Sequence, residues 1–107
     1  MSNRVLPFLG LARRAGKLSL GHDPALDQIR HGKAKLILLA CDLSKRTAAS
    51  VREEADMIKI SVRPLRENMD EIGSALGRRT GVIAVNDAGF AKKLETLCAT
   101  DEEECNL

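Results

Sequence analysis

The sequence predicts an α/β protein: a three-layer α/β/α sandwich with helices and strands alternating around one four-stranded mixed sheet. Two observations carry this reading. Segments with helical spacing of apolar residues alternate strictly with short apolar runs, nine elements in all, beginning and ending with a helix. Two of the predicted strands, Ala34–Cys41 with its unbroken apolar run from Leu36 and Gly81–Val85, are apolar along their length in a way that implies cover on both faces.

The first helix is predicted over Leu6–Ala15. Pro7 fits its first turn and Gly16 its stop, and Gly10 inside it costs about 1 kcal/mol relative to alanine. A short strand follows at Lys17–Leu20. Asp23–Arg30 reads as a helix with Asp23 as N-cap, Pro24 as first helical residue, Ala25, Leu26 and Ile29 as its apolar face, and Gly32 as its stop. After the Ala34–Cys41 strand, Ser44 caps a helix whose Ala48, Val51, Ala55 and Ile58 recur at helical spacing. Lys59–Val62 is a short alternating strand closed by Pro64. The next helix starts at Asn68 or Met69 and runs to Leu76, with Gly77 as its stop. Gly81–Val85 is the last strand. Asp87 then caps a helix with a stripe of Phe90, Ala91, Leu94 and Leu97. One domain over residues 1–97 is expected, followed by an acidic tail over 98–107 too charged to pack and therefore disordered.

Composition narrows the function. The 107 residues suit a single domain, and 44% hydrophobic with 30% charged residues is ordinary for a globular protein. No run reaches the length of a membrane span, and the N-terminal stretch, broken by Pro7 and Gly10, does not read as an export signal. Cys41, Cys98 and Cys105 form no C-x-x-C, which fits a reducing, cytoplasmic setting. Net charge is +2, but residues 1–50 hold nine Lys/Arg against three Asp/Glu, whereas the tail carries Asp101, Glu102, Glu103 and Glu104. The basic half points to an anionic partner.

Catalytic chemistry finds little support. His22 and His31 lie at opposite ends of one helix, and Cys41 reads as a small buried hydrophobe at a strand end. Neither G-x-G-x-x-G nor a P-loop is present. Two loops stand out. At Leu20-Gly21-His22-Asp23 a glycine turn enters a helix, either leaving N–H groups for a phosphate with Lys17 nearby, or forming an ordinary cap in which Asp23 takes those groups. Gly77-Arg78-Arg79-Thr80-Gly81 places two arginines between glycines, either as a phosphate-gripping finger or as exposed loop charges. Whether the loops meet is open. With no Trp or Tyr and only Phe8 and Phe90, base stacking is nearly excluded, so an RNA partner would be read by backbone shape and groove edges.

The segments LGLARRAGKLSLG, IRHGKAKLILLACD, EIGSALGRRTGVIAV and DAGFAKKL resemble, in this order, small bacterial members of the kink-turn-binding ribosomal protein family of the L-seven-Ae and L-thirty-e type. The likeness runs from about Val5 to Leu94. It implies an α/β/α sandwich that binds sharply bent RNA duplexes without catalysis or cofactor. At the start of the second helix the family pattern is Gly, any residue, Asn, Glu, two of any kind, Lys. Gly21 keeps the glycine, but Asp23, Pro24 and Asp27 stand at the other three places. Asp accepts hydrogen bonds without donating them, Pro24 has neither polar side chain nor N–H, and Asp27 repels phosphate. Gly73, Gly77 and Arg78 fit the family pattern. The expectation is a monomeric, ribosome-associated binder of structured RNA, either kink-turn-like or ribosomal, using Lys17, Gly21, His22, Asp23, Arg78, Arg79 and Thr80. The alternative is a protein-interaction module that kept the fold and lost kink-turn recognition.

Overall fold

The structure is a computed structural model that describes residues 4–105, with side chains described through Ala99. Helices α1 (Val5–Arg14), α2 (His22–Arg30), α3 (Lys45–Met57), α4 (Met69–Leu76) and α5 (Ala88–Cys105) alternate with strands β1 (Leu18–Leu20), β2 (Leu36–Leu39), β3 (Ser61–Pro64) and β4 (Val82–Val85). The strands form one mixed sheet in the order β1-β4-β2-β3. β4 runs antiparallel to both β1 and β2, and β3 runs parallel to β2.

The continuous apolar runs are buried on both faces, as their composition requires. Leu36, Leu38, Ile83 and Val85 join Leu9 of α1, Ile72 of α4 and Leu94 of α5 in one core. Ile37, Leu39, Val82 and Ala84 face the opposite way and join Leu26 and Ile29 of α2 and Val51 and Ala55 of α3. The helices therefore form two outer layers, which is the predicted sandwich.

Several caps match the sequence. Ser44 Oγ accepts from Thr47 N at 3.2 Å. Asn68 and Glu71 form a reciprocal capping box. Asp87 Oδ2 accepts from Phe90 N at 2.9 Å. Other expectations are corrected. β2 is shorter than Ala34–Cys41, because the chain has left the sheet by Cys41, whose N–H donates to Glu67 O at 2.9 Å. Cys41 is exposed, not a buried hydrophobe, whereas Cys98 is buried. α2 begins at His22, so Gly21 is the N-cap in place of Asp23. α5 continues past Leu97 to Cys105 in place of the expected disorder, since helix propagation needs only local backbone bonds and glutamates that favour it. Disorder of Asn106 and Leu107 lies outside the described residues. Among the described residues, no helix is long and apolar enough to cross a membrane.

Candidate nucleic-acid interface

The antiparallel pairing of β1 with β4 sets Leu20 opposite Ile83. One residue further, Gly21 N donates to Val82 O at 2.8 Å, which brings the glycine turn against the loop that enters β4. Gly21 has φ 110° and ψ 160°, a conformation open to glycine and closed to L side chains. Its carbonyl accepts from Ala25 N at 3.0 Å and closes the first turn of α2. The N–H groups of His22 and Asp23, the first two helical residues, have no acceptor within the helix, and Pro24 has no N–H. Asp23 does not cap. Its carboxylate is 98% exposed and lies 3.2 Å from His22 Nδ1. The helix start is therefore open, which was one of the two alternatives the sequence left.

The second loop meets the first. α4 ends at Gly77 in the left-handed conformation, φ 81°. Arg78 then extends over the glycine turn: a Cβ built on Gly21 would lie 3.9 Å from Arg78 Nη2. Among the described residues no carboxylate pairs with Arg78. Arg79 differs, because its Nε donates to Asp70 Oδ1 at 2.7 Å. That contact raises the Arg79 pKa and holds its charge against α4. Thr80 is buried at 5% exposure, and its hydroxyl donates to Val82 O at 3.0 Å. It shapes the root of the loop and presents no side chain outward, contrary to its expected place among the contact residues.

Glycine makes the loop fit. A Cβ on Gly73 would come within 3.1 Å of Arg79 Cα and 3.2 Å of its N, so α4 needs a glycine where the loop folds back on it. A Cβ on Gly81 would meet Leu43 Cδ1 and lie 3.1 Å from Met69 Sδ. Asp42 Oδ1 accepts from Met69 N at 2.9 Å and ties the β2–α3 loop to the start of α4. The supporting role of Asp42, Leu43 and Met69 was not anticipated.

Lys17 does not belong to this site. It precedes β1, at the end of the sheet where Leu18 pairs with Val85, whereas Gly21 follows β1 at the other end. Lys17 O accepts from Asn86 N at 2.8 Å there. The convergent set is therefore Gly21, the His22 and Asp23 amides, and Arg78. Two open amides at a helix N-terminus and one guanidinium without a carboxylate partner suit an anionic oxygen. The Asp23 carboxylate opposes it electrostatically, whereas the Asp27 carboxylate lies 3.3 Å from His31 Nδ1, toward the other end of α2. His22 and His31 remain at opposite ends of α2 and do not meet.

A profile described as ribosomal protein L7Ae/L30e/S12e/Gadd45 family matches residues 3–95. The chain is 39% identical over 92 residues to the RNA-binding protein YlxQ of Bacillus subtilis, covering 85% of this chain and 91% of that one. It is 37% identical over 93 residues to large ribosomal subunit protein eL30 of Dictyostelium discoideum, covering 85% and 83%. A solved protein of unknown function from Bacillus halodurans superposes with a TM-score of 0.86 at 30% identity, covering 92% of this chain and 99% of that one. A 15.5kD RNA binding protein of Giardia lamblia shares the fold, with a TM-score of 0.66 at 18% identity over 86% of this chain and 85% of that one.

Proposed function

The chain belongs to the ribosomal protein L7Ae/L30e/S12e/Gadd45 family, and from that premise we propose that it binds structured RNA, without catalysis, where the Gly21 turn meets Arg78. The observation that carries this reading is the Arg78 guanidinium standing over an uncapped helix start. A phosphate or base-edge oxygen seated there accepts from the His22 or Asp23 amide and from Arg78, while the glycine turn lets an RNA backbone approach without meeting a Cβ. His22, itself exposed, borders the same place. The relatives whose names state RNA binding or a ribosomal subunit support RNA as the partner class and a cytoplasmic setting, with ribosomal RNA as a candidate.

Kink-turn preference is the finer part of the proposal. Asp23, Pro24 and Asp27 depart from the family pattern, with carboxylates at two of the three places, and weaken it. Those carboxylates favour the second reading, a protein-interaction module on the same pole. Titration of a fluorescein-labelled kink-turn RNA against a plain duplex of equal length separates the two. The triple change Asp23→Asn, Pro24→Glu and Asp27→Lys is expected to raise the kink-turn preference: the carboxylate lost at Asp23→Asn and the lysine gained at Asp27→Lys each contribute on the order of 1 kcal/mol at low salt, against the carboxylate that Pro24→Glu adds. The fold is expected to survive, since Pro24 occupies the third helical position, where glutamate is favourable. A triple variant that matches the wild type on both RNAs would move the functional face away from the Gly21 turn.

A further inference from the structure

A row of lysines lines the end of the sheet opposite the Gly21–Arg78 pole. β1, β2 and β3 all begin there, as the pairs Leu18↔Val85, Leu36↔Val85 and Leu36↔Ser61 require. Lys17 directly precedes β1, Lys35 directly precedes β2, and Lys59 lies two residues before β3. The backbones of the first two are fixed on either side of the end of β4: Lys17 O accepts from Asn86 N at 2.8 Å, and Lys35 N donates to Val85 O at 2.7 Å. β4 separates β1 from β2, so these two positions stand about 10 Å apart, and β3 adds Lys59 on the next strand. All three lysines are exposed, and among the described residues none has a carboxylate partner. Asp87, which follows β4 at this end, is engaged in capping α5. A groove of about 430 Å³ lies between Lys35 and Lys59, with both lysines and Gly32 in its walls; Lys17 stands outside it, beyond β4.

Lys59 carries an independent signal. Three helices reach this end and close with the same turn. In α1, Gly16 N donates to Arg13 O and Lys17 N to Ala12 O. In α2, Gly32 N donates to Ile29 O and Lys33 N to Gln28 O. In α3, Lys59 N donates to Asp56 O and Ile60 N to Ala55 O. The left-handed position of that turn is glycine in the first two, at φ 74° and 69°, and lysine in the third, at φ 58°. Glycine adopts this conformation freely, whereas lysine holds it against a steric penalty. A side chain kept in a disfavoured backbone conformation beside a cationic groove points to a use for that side chain.

We propose that the lysine rim Lys17–Lys35–Lys59 is a second RNA contact, which grips the phosphate backbone of a segment that the Gly21–Arg78 pole does not touch. The proposal rests on the RNA-binding reading above. Part of the lysine charge also complements the C-termini of α1, α2 and α3, which lie at this end. That role would appear in thermal stability and not in the salt dependence of binding.

The test is fluorescence anisotropy of the full chain with a fluorescein-labelled kink-turn RNA carrying long stems, titrated over a range of KCl. The Lys17→Gln/Lys35→Gln/Lys59→Gln variant is expected to bind with a slope of log Kd against log salt shallower by about 2 to 3. Lys59→Gly alone is expected to lower the slope by about 1 while raising Tm, because it removes the charge and relieves the backbone together. A folded triple variant with the wild-type slope overturns the proposal. So does binding of polyglutamate that depends on the rim while the RNA slope stays fixed, which would assign the surface to an acidic protein. A rim variant with a reduced slope beside an Arg78→Gln variant that binds as the wild type upholds the rim and moves the error to the other pole. Absence of RNA binding by the wild type at low salt defeats both.

Discussion

Gly21 and Thr80 donate to the same acceptor, the Val82 carbonyl oxygen, at 2.8 and 3.0 Å. One carbonyl at the start of β4 therefore ties the start of α2 to the root of the arginine loop. The relation between the open helix amides and Arg78 is set by the sheet, and not by contacts between two mobile loops.

Gly21→Ala tests that arrangement. At φ 110° an L side chain is strained wherever space allows it, so a loss of about 1–3 kcal/mol in stability is expected. Thermal denaturation checks this. RNA affinity, measured on the folded variant well below its Tm, is expected to fall as well, because the amides and Arg78 lose their common frame. A Tm equal to the wild type would mean that the turn is not held in this conformation.

Arg78 and Arg79 are expected to differ despite being neighbours. Arg79 is held by Asp70, and Arg78 has no carboxylate partner among the described residues. Arg78→Gln should weaken RNA binding by about 1–2 kcal/mol with little change in Tm. Arg79→Gln should weaken it less. Equilibrium titration of both variants at one salt concentration decides, and the reverse order would place the phosphate on the α4 side of the loop.

Two helical glycines should respond in opposite directions. A Cβ on Gly10 meets nothing within 4 Å outside its own helix, so Gly10→Ala should stabilise by about 0.5–1 kcal/mol. A Cβ on Gly73 meets the Arg79 backbone at 3.1 and 3.2 Å, so Gly73→Ala should destabilise by about 1–2 kcal/mol and displace the loop that carries Arg78. Urea denaturation gives both values, and equal effects would contradict the packing described.

Cys41 is exposed, and its thiol pKa is raised, first by local loss of hydration and then by Asp42. The thiolate therefore forms at higher pH than in a free cysteine. Iodoacetamide should modify Cys41 slowly at neutral pH and faster as pH rises beyond the usual thiol range, in a Cys105→Ser background with buried Cys98 protected. Cys41→Ser should change stability by no more than about 0.5 kcal/mol. Fast alkylation at neutral pH would show a depressed pKa.

The sandwich was legible because its core is written in two periods. Leu36 and Leu38 face one layer and Ile37 and Leu39 the other, so an unbroken apolar run means burial on both sides. Caps carried by side chains, at Ser44, Asn68 and Asp87, were legible for the same local reason. Errors arose where backbone or register decides. Asp23 resembles an N-cap, yet Gly21 takes that place because the turn needs a positive φ. Cys41 continues an apolar run, but the chain bends away from the sheet before it. Lys17 is close to Gly21 in sequence, but β1 carries them to opposite ends of the sheet. The meeting of Gly21 with Arg78 depends on the antiparallel pairing of β1 and β4, which no local pattern encodes.

The central claim is that RNA sits where Arg78 stands over the start of α2. Nitrogen-15 NMR titration of the full chain with an unlabelled kink-turn RNA tests it most directly. The His22 and Asp23 amides and the Arg78 Nε–H are expected to shift together, and these shifts to be lost in Arg78→Gln. Saturable RNA binding that leaves all three resonances in place would contradict it.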